Sequence, residues 1–233
     1  MEKILREGFA QLGLSINDSQ LELFRGFYTR LEETNKVMNL TAISGEEDSA
    51  RLHFLDCAAM LTELDLKGKT VIDVGTGAGF PGMPLVIACP EIEKITLLDS
   101  LNKRINFLQQ CCDELGIKNA FPIHARAEEA TEHREAYDAA VSRAVARLSV
   151  LCELALPFVK VGGQFIAMKG PKSAEELSEA EKAIETLGGK LERVVEYAVP
   201  GTDLSHSLVI IKKVKPTPKK YPRRFAMIKK SPL

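Results

Sequence analysis

From residue 70 onward the chain alternates short apolar runs with amphipathic stretches, and the first of these runs ends in a cluster of glycines. In VIDVGTGAGF, residues 71–80, Val71 and Ile72 lead through Asp73 and Val74 into glycines at 75, 77 and 79. An apolar run closed by glycines reads as a buried strand entering a tight turn. Glycine tolerates positive φ and carries no Cβ, so a ligand can approach such a backbone closely. Further strands are expected at 94–100, 119–125, 137–144, 162–170, 192–199 and 206–214. Helices are expected from Pro81 or Gly82 to Ala88, from Lys103 to Leu115, over 148–159 and over 173–187. Strand–helix repeats of this kind imply a parallel, doubly wound sheet with right-handed crossovers and helices on both faces. Only PGTDLS separates the last two strands, so they should form an antiparallel hairpin at the end of the sheet.

Residues 1–66 read as a helical N-terminal extension. Leu21, Phe24, Phe27, Tyr28 and Leu31 recur at helical spacing, with Asp18 or Ser19 as the cap. NKVMNLTAIS, residues 35–44, reads as a loop, and a further helix runs from Ser44 or Glu47 to Leu64. The expected division is thus 1–66, a sheet domain over 67–214, and a tail over 215–233.

The net charge of −1 conceals an asymmetry. Lys212 to Leu233 carries nine Lys or Arg and no acid, leaving 22 basic against 32 acidic residues before it. An acidic body with a basic tail points to a polyanionic partner at one edge. Tyr221 and Phe225 lie among those charges, which favours ordered contact over a bare electrostatic tether. No apolar run approaches the roughly 18 residues of a membrane helix. The N-terminus also lacks the pattern of a secretory signal, so a cytoplasmic protein is expected. Five cysteines without C-x-x-C spacing suggest neither a disulfide framework nor a zinc site, and the four histidines show no metal spacing.

In doubly wound sheets a ligand lies beyond the carboxyl ends of the strands, where strand order reverses. The candidates therefore follow the strands: Asp73, Gly75, Gly77 and Gly79 after the first, Asp99 after the second, Ala127 and Glu128 after the third, and Arg143 after the fourth. A dinucleotide fingerprint would need glycine at 80, where this chain has Phe80. Asp99 can accept from both hydroxyls of a ribose, which suits NAD and S-adenosylmethionine equally. No Walker lysine or G-x-S-x-G elbow is present. Five parallel strands followed by an antiparallel hairpin resemble the seven-stranded sheet of class I methyltransferases.

More specific stretches carry a family resemblance. NKVMNLT (35–41), RLHFLDC (51–57), DVGTGAGFPGMPL (73–85), LLDSLNKRINFL (97–108), ARAEE (125–129), VSRAVARL (141–148) and TPKKYPRRFAMIKKSPL (217–233) together resemble the bacterial small-subunit ribosomal RNA methyltransferase G family, also called glucose-inhibited division protein B. The resemblance implies S-adenosylmethionine as cofactor, held by Gly75, Phe80, Ala127, Glu128 and Arg143. It implies methyl transfer to guanine N7 in the 530 loop of 16S rRNA, with the small ribosomal subunit or an assembly intermediate as partner. Nothing in the sequence suggests an obligate oligomer, so a monomer is expected. Asn39, His53 and Asp56, with Arg143, are expected on the substrate side. Lys219, Lys220, Arg223, Arg224, Lys229 and Lys230 are expected to meet RNA phosphates, Arg223 and Arg224 foremost. The rival readings are a methyltransferase acting on a small molecule or protein, and a catalytically silent RNA-binding protein.

Overall fold

The computed structural model describes residues 1–143, 145–171 and 173–233. One seven-stranded sheet has the order β3-β2-β1-β4-β5-β7-β6. Its strands are β1 (Thr70–Val74), β2 (Lys94–Asp99), β3 (Ala120–His124), β4 (Tyr137–Arg143), β5 (Val159–Lys169), β6 (Gly189–Ala198) and β7 (Ser205–Lys213). The first five run parallel to one another, and β7 pairs antiparallel with both β5 and β6. The expected hairpin is therefore present, with β7 inserted inside β6. Ala144, where the expected fourth strand ends, lies outside the described residues.

Strand side chains alternate between two cores because successive Cβ atoms point to opposite faces. Val71, Ile95, Leu97, Val141, Ile166 and Ile210 enter one core with Phe9, Phe24, Phe27 and Phe54. Ile72, Val74, Leu98, Ala140, Phe165 and Val209 enter the other, with Leu148, Leu151 and Ile184. The helices Gly82–Ala88 and Asn102–Leu115 cover the first face together with the N-terminal helices Glu2–Gln11 and Asp18–Met38. The helices Leu148–Ala155 and Ser173–Thr186, and the tail helix Phe225–Lys230, cover the second. Hydrophobic packing thus runs across residue 66 without interruption, and the 1–66 boundary divides the sequence rather than the core.

Several local expectations change. The cap of the second helix is Asn17, one residue before the expected Asp18. Its side chain accepts from the Gln20 amide while Gln20 returns a bond to the Asn17 amide. That helix continues to Met38, past the expected start of a loop at 35, and ends at Asn39 in the left-handed conformation. The segment from Glu46 to Thr62 is helical as expected, but Ser49–Leu55 within it is π-helical and Ala59–Thr62 is a 3₁₀ turn. The extra residue in a π turn shifts the register of everything after it, and π turns concentrate at functional sites. This one carries His53. The expected helix over 148–159 stops at Ala155 and passes through a 3₁₀ turn at Leu156–Phe158, and β5 begins at Val159, three residues early. Pro157 has no amide to donate to a continuing helix.

Candidate functional site

The sheet reverses its strand order between β1 and β4, and the glycine turn leaves β1 at that point. Gly75, with φ of +73°, begins it, and a Cβ there would sit 2.7 Å from a Val145 methyl. Gly75 and Thr76 donate their amides to Leu98 O, at 2.9 and 3.0 Å. The Gly77 amide donates to Asp99 Oδ2 at 2.9 Å, and the Gly82 amide to Asp73 Oδ2 at 2.8 Å. Gly79 and Phe80 both donate to Thr76 O. In a phosphate-cradling loop these amides would face the anion. Here they are already committed, two of them to carboxylates.

Asp73 is fully buried, and its Oδ2 also accepts from the Thr76 hydroxyl at 2.6 Å. Burial pushes its carboxyl up to about 7, against the lowering pull of the Thr76 and Gly82 hydrogen bonds. Asp73 therefore braces the turn from beneath and takes no part in the cavity wall. Gly79 is likewise a packing residue, since a Cβ there would lie 2.7 Å from Met83 and 2.8 Å from Leu108. Gly82 supplies the G of FPG, where a Cβ would meet Leu97 at 2.2 Å and Asp73 Oδ2 at 2.9 Å. Gly82→Ala should cost about 1–3 kcal/mol in urea unfolding through overpacking; unchanged stability would show that the turn yields freely.

Beyond the turn lies a cavity of about 590 Å³, lined by Gly75, Gly77, Phe80, Asp99, Ala127, Glu128 and Arg143 among the expected residues. Leu40, Thr41, Leu101, Arg104, Val145, Leu154 and Phe225 also line it; none of these is a cofactor candidate in the sequence, where Phe225 stands out only as an aromatic among the tail's cations. Asp99 accepts from the Leu101 amide at 2.8 Å and from Arg104 Nη1 at 3.2 Å, so its carboxylate is aimed and charge-compensated. A carboxylate at the end of β2, apolar walls from Leu98, Leu101, Ala125 and Ala127, and a turn without free phosphate cradle fit S-adenosylmethionine.

The far side of the cavity is a buried polar network. Arg143 Nη1 donates to Leu52 O at 2.9 Å and to Asp56 Oδ2 at 3.2 Å, and Nη2 donates to His53 Nδ1 at 2.5 Å. Asp56 Oδ1 accepts from the Tyr197 hydroxyl at 2.7 Å and from His206 Nδ1 at 2.8 Å. The hydrogen bond to Asp56 raises the His206 pKa, and burial raises that of Tyr197. The His53 ring stacks on Phe80 with centroids 4.1 Å apart, and Arg143 lies 4.9 Å from the same ring centre. A second cavity of about 750 Å³ adjoins here, sharing Thr41, His53, Arg143 and Val145 with the first, and Asp56, Lys169, Glu176 and His206 line it. Asn39 stands apart: it is exposed and lines neither cavity, serving as the helix C-cap.

Because Arg143 donates to Nδ1, neutral His53 must carry its proton on Nε2, where it faces the Thr41 hydroxyl at 2.9 Å. Burial, with Arg143 beside it, lowers the His53 pKa from 6.5 to about 3. The unfolded chain therefore takes up this proton first as pH falls, so the contribution of His53 to stability is present above its ordinary pKa and lost below it. The stability gap between the wild type and His53→Gln should narrow as pH falls from about 7 to about 4. A constant gap in pH-resolved urea titrations would contradict the neutral, buried imidazole.

Comparison with known proteins decides the family. The model described as GidB, rRNA small subunit methyltransferase G, matches residues 20–204. The chain belongs to that family. A ribosomal RNA small subunit methyltransferase G from Clostridium perfringens strain 13 is 47% identical over 99% of this chain and 98% of its own length. One from Clostridium botulinum strain Loch Maree is 50% identical with the same coverage. Another from Lachnoclostridium phytofermentans is 50% identical over 97% of this chain and 95% of its own length. Solved structures share the fold. M. jannaschii TYW2, solved in complex with AdoMet, superimposes with a TM-score of 0.57 at 14% identity, over 74% of this chain and 80% of its own. A SAM dependent methyltransferase from Aquifex aeolicus gives 0.55 at 22% identity, over 71% and 93%.

The tail is not a free tether. Tyr221 and Ile228 are buried, and Arg134 donates to the carbonyl oxygens of Tyr221 and Thr217. Arg223 points inward: Nε and Nη2 reach the two oxygens of the fully buried Glu153 at 2.8 and 2.6 Å, and the Arg223 amide adds a third bond at 2.8 Å. One of the two residues expected foremost at RNA phosphate, Arg223, is thus an internal anchor, because a carboxylate in an apolar core must be paired. Lys213 is also fully buried, donating to Leu156 O, Val159 O and Thr217 Oγ1, and burial lowers its pKa to about 8. Lys219, Lys220, Arg224, Lys229 and Lys230 are exposed.

Proposed function

We propose that this protein transfers a methyl group to guanine N7 in the 530 loop of 16S rRNA, within the small ribosomal subunit or an assembly intermediate. Membership of the family makes the chain an S-adenosylmethionine-dependent rRNA methyltransferase. The atom and the loop rest on the resemblance, and the site chemistry supports them. The carrying observation is the glycine turn whose amides are held by Asp73 and Asp99, opening to a cavity that joins a second one at Arg143.

When bound, the cofactor supplies an electrophilic methyl group on a sulfonium. Guanine N7 offers an in-plane lone pair and carries no proton, so the protein need not remove one. Its task is alignment of N7 with the methyl group. Asp99, aimed into the first cavity, would hold the ribose end of the cofactor. Phe80, backed by the His53 ring and the Arg143 guanidinium, fixes the wall between the two cavities. The guanine enters the second cavity, extruded from its stack in the RNA. Asp56 keeps Arg143 rigid through an ion pair closed by Tyr197 and His206.

The exposed Lys219, Lys220, Arg224, Lys229 and Lys230 meet phosphates at the cavity edge, and the enzyme acts as a cytoplasmic monomer. Among the described residues no helix is long and apolar enough to cross a membrane. If about five phosphates are neutralised, affinity for RNA should fall several hundredfold between about 50 and 200 mM salt. A flat salt response in filter binding would remove the tail from the interface. Labelled methyl counted in small subunits lacking this modification, against naked rRNA, tests the substrate; label in neither would refute the reading.

A further inference from the structure

The tail anchor and the cofactor cavity meet on one helix. Glu153 and Leu154 are consecutive in the Leu148–Ala155 helix. Glu153 takes Arg223 in a buried, three-bond anchor, and Leu154 lines the cofactor cavity beside Phe225, two residues after Arg223. Ile228, on the same short helix as Phe225, is fully buried in the second core. Phe225 itself lines the cavity and is 39% exposed. Arg224, Lys229 and Lys230 surround it in sequence and face solvent.

We propose that Phe225 is a cofactor-binding residue, supplied by the basic tail as one wall of the S-adenosylmethionine cavity, and that RNA engaging the tail thereby tightens cofactor binding. The idea rests on the proposed function for the identity of the polyanion. Linkage follows from the chain. The cations that meet phosphates and the aromatic that meets the cofactor ride on one segment, residues 219–230, docked by Glu153. Phosphate contacts hold that segment down, and a held Phe225 costs less to order when cofactor arrives. The effect is reciprocal, so cofactor must also tighten RNA binding.

Calorimetric titration of S-adenosylhomocysteine, which has no methyl to transfer, provides the test. Phe225→Ala should weaken binding to the free enzyme roughly tenfold, from the apolar area no longer covered. Phe225→Leu, which keeps an apolar wall, should lose much less. Unliganded urea unfolding of each variant separates lost binding from lost fold. Saturating small subunits should tighten binding to the wild type about fivefold or more, and leave Phe225→Ala with little tightening. Wild-type affinity in a folded Phe225→Ala protein, or equal affinity with and without bound subunits, would overturn the proposal. The readout is binding, so a failure to find methylated guanine N7 would refute the functional reading while leaving this linkage standing.

Discussion

Arg143→Ala is expected to lower methyl transfer by about a hundredfold or more and to destabilise the fold by about 3–5 kcal/mol. The two effects have one origin. The guanidinium is the hub joining Leu52 O, His53 and Asp56, and it stacks on Phe80. Without it Asp56, only 2% exposed, keeps Tyr197 and His206 but loses its permanent cation. His53 loses the donor that fixes its tautomer, so the wall between the cavities slackens. Arg143→Lys should restore much of the stability, because a point charge can still pair with Asp56. It should restore little of the activity, because an ammonium cannot span three partners in the plane of a fork. Initial rates beside urea unfolding separate these. Near wild-type transfer in Arg143→Ala would show that the network is structural only.

Asp99→Ala should raise the cofactor dissociation constant about a hundredfold, the loss of two charge-assisted hydrogen bonds to ribose hydroxyls. The same carboxylate accepts from Gly77, Leu101 and Arg104, so truncation also frees the turn and leaves Arg104 without its partner. Asp99→Asn keeps the shape and one acceptor, and should fall between the two. Calorimetry reads the result directly. A dissociation constant within about twofold of wild type in Asp99→Ala would place the ribose elsewhere in the cavity.

The sheet was legible because β1, β2, β4 and β7 are buried along nearly their whole length and therefore read as apolar runs, while turns between strands are marked by glycine and charge. The lining of the first cavity was legible from topology: Gly75, Phe80, Asp99, Ala127 and Glu128 each stand at or just after a strand end, and the sheet brings those ends together. The network around Arg143 was half legible. His53 and Asp56 stand in one motif, but Tyr197 and His206 come from β6 and β7, and only the hairpin's position in the sheet brings them to Asp56. The tail was misjudged at Arg223. Its signal was present in LSVLCELALPFV, where Glu153 is the lone acid of an apolar helix. An acid buried there requires a cation from somewhere, and the tail is the richest source. Lys213, in the apolar run of β7, carries the same kind of signal. Phe225 left none, since an aromatic among lysines reads equally well as an RNA contact.

If the glycine turn and the Arg143 network align the cofactor methyl with guanine N7, the modified atom itself must report it. The most direct test is to methylate small ribosomal subunits lacking the modification with this enzyme, then cleave the rRNA at 7-methylguanine with borohydride and aniline. One new strand break is expected, in the 530 loop, that requires both enzyme and S-adenosylmethionine. Methyl label incorporated without a break there would contradict it, because the methyl would then lie on another atom or another site.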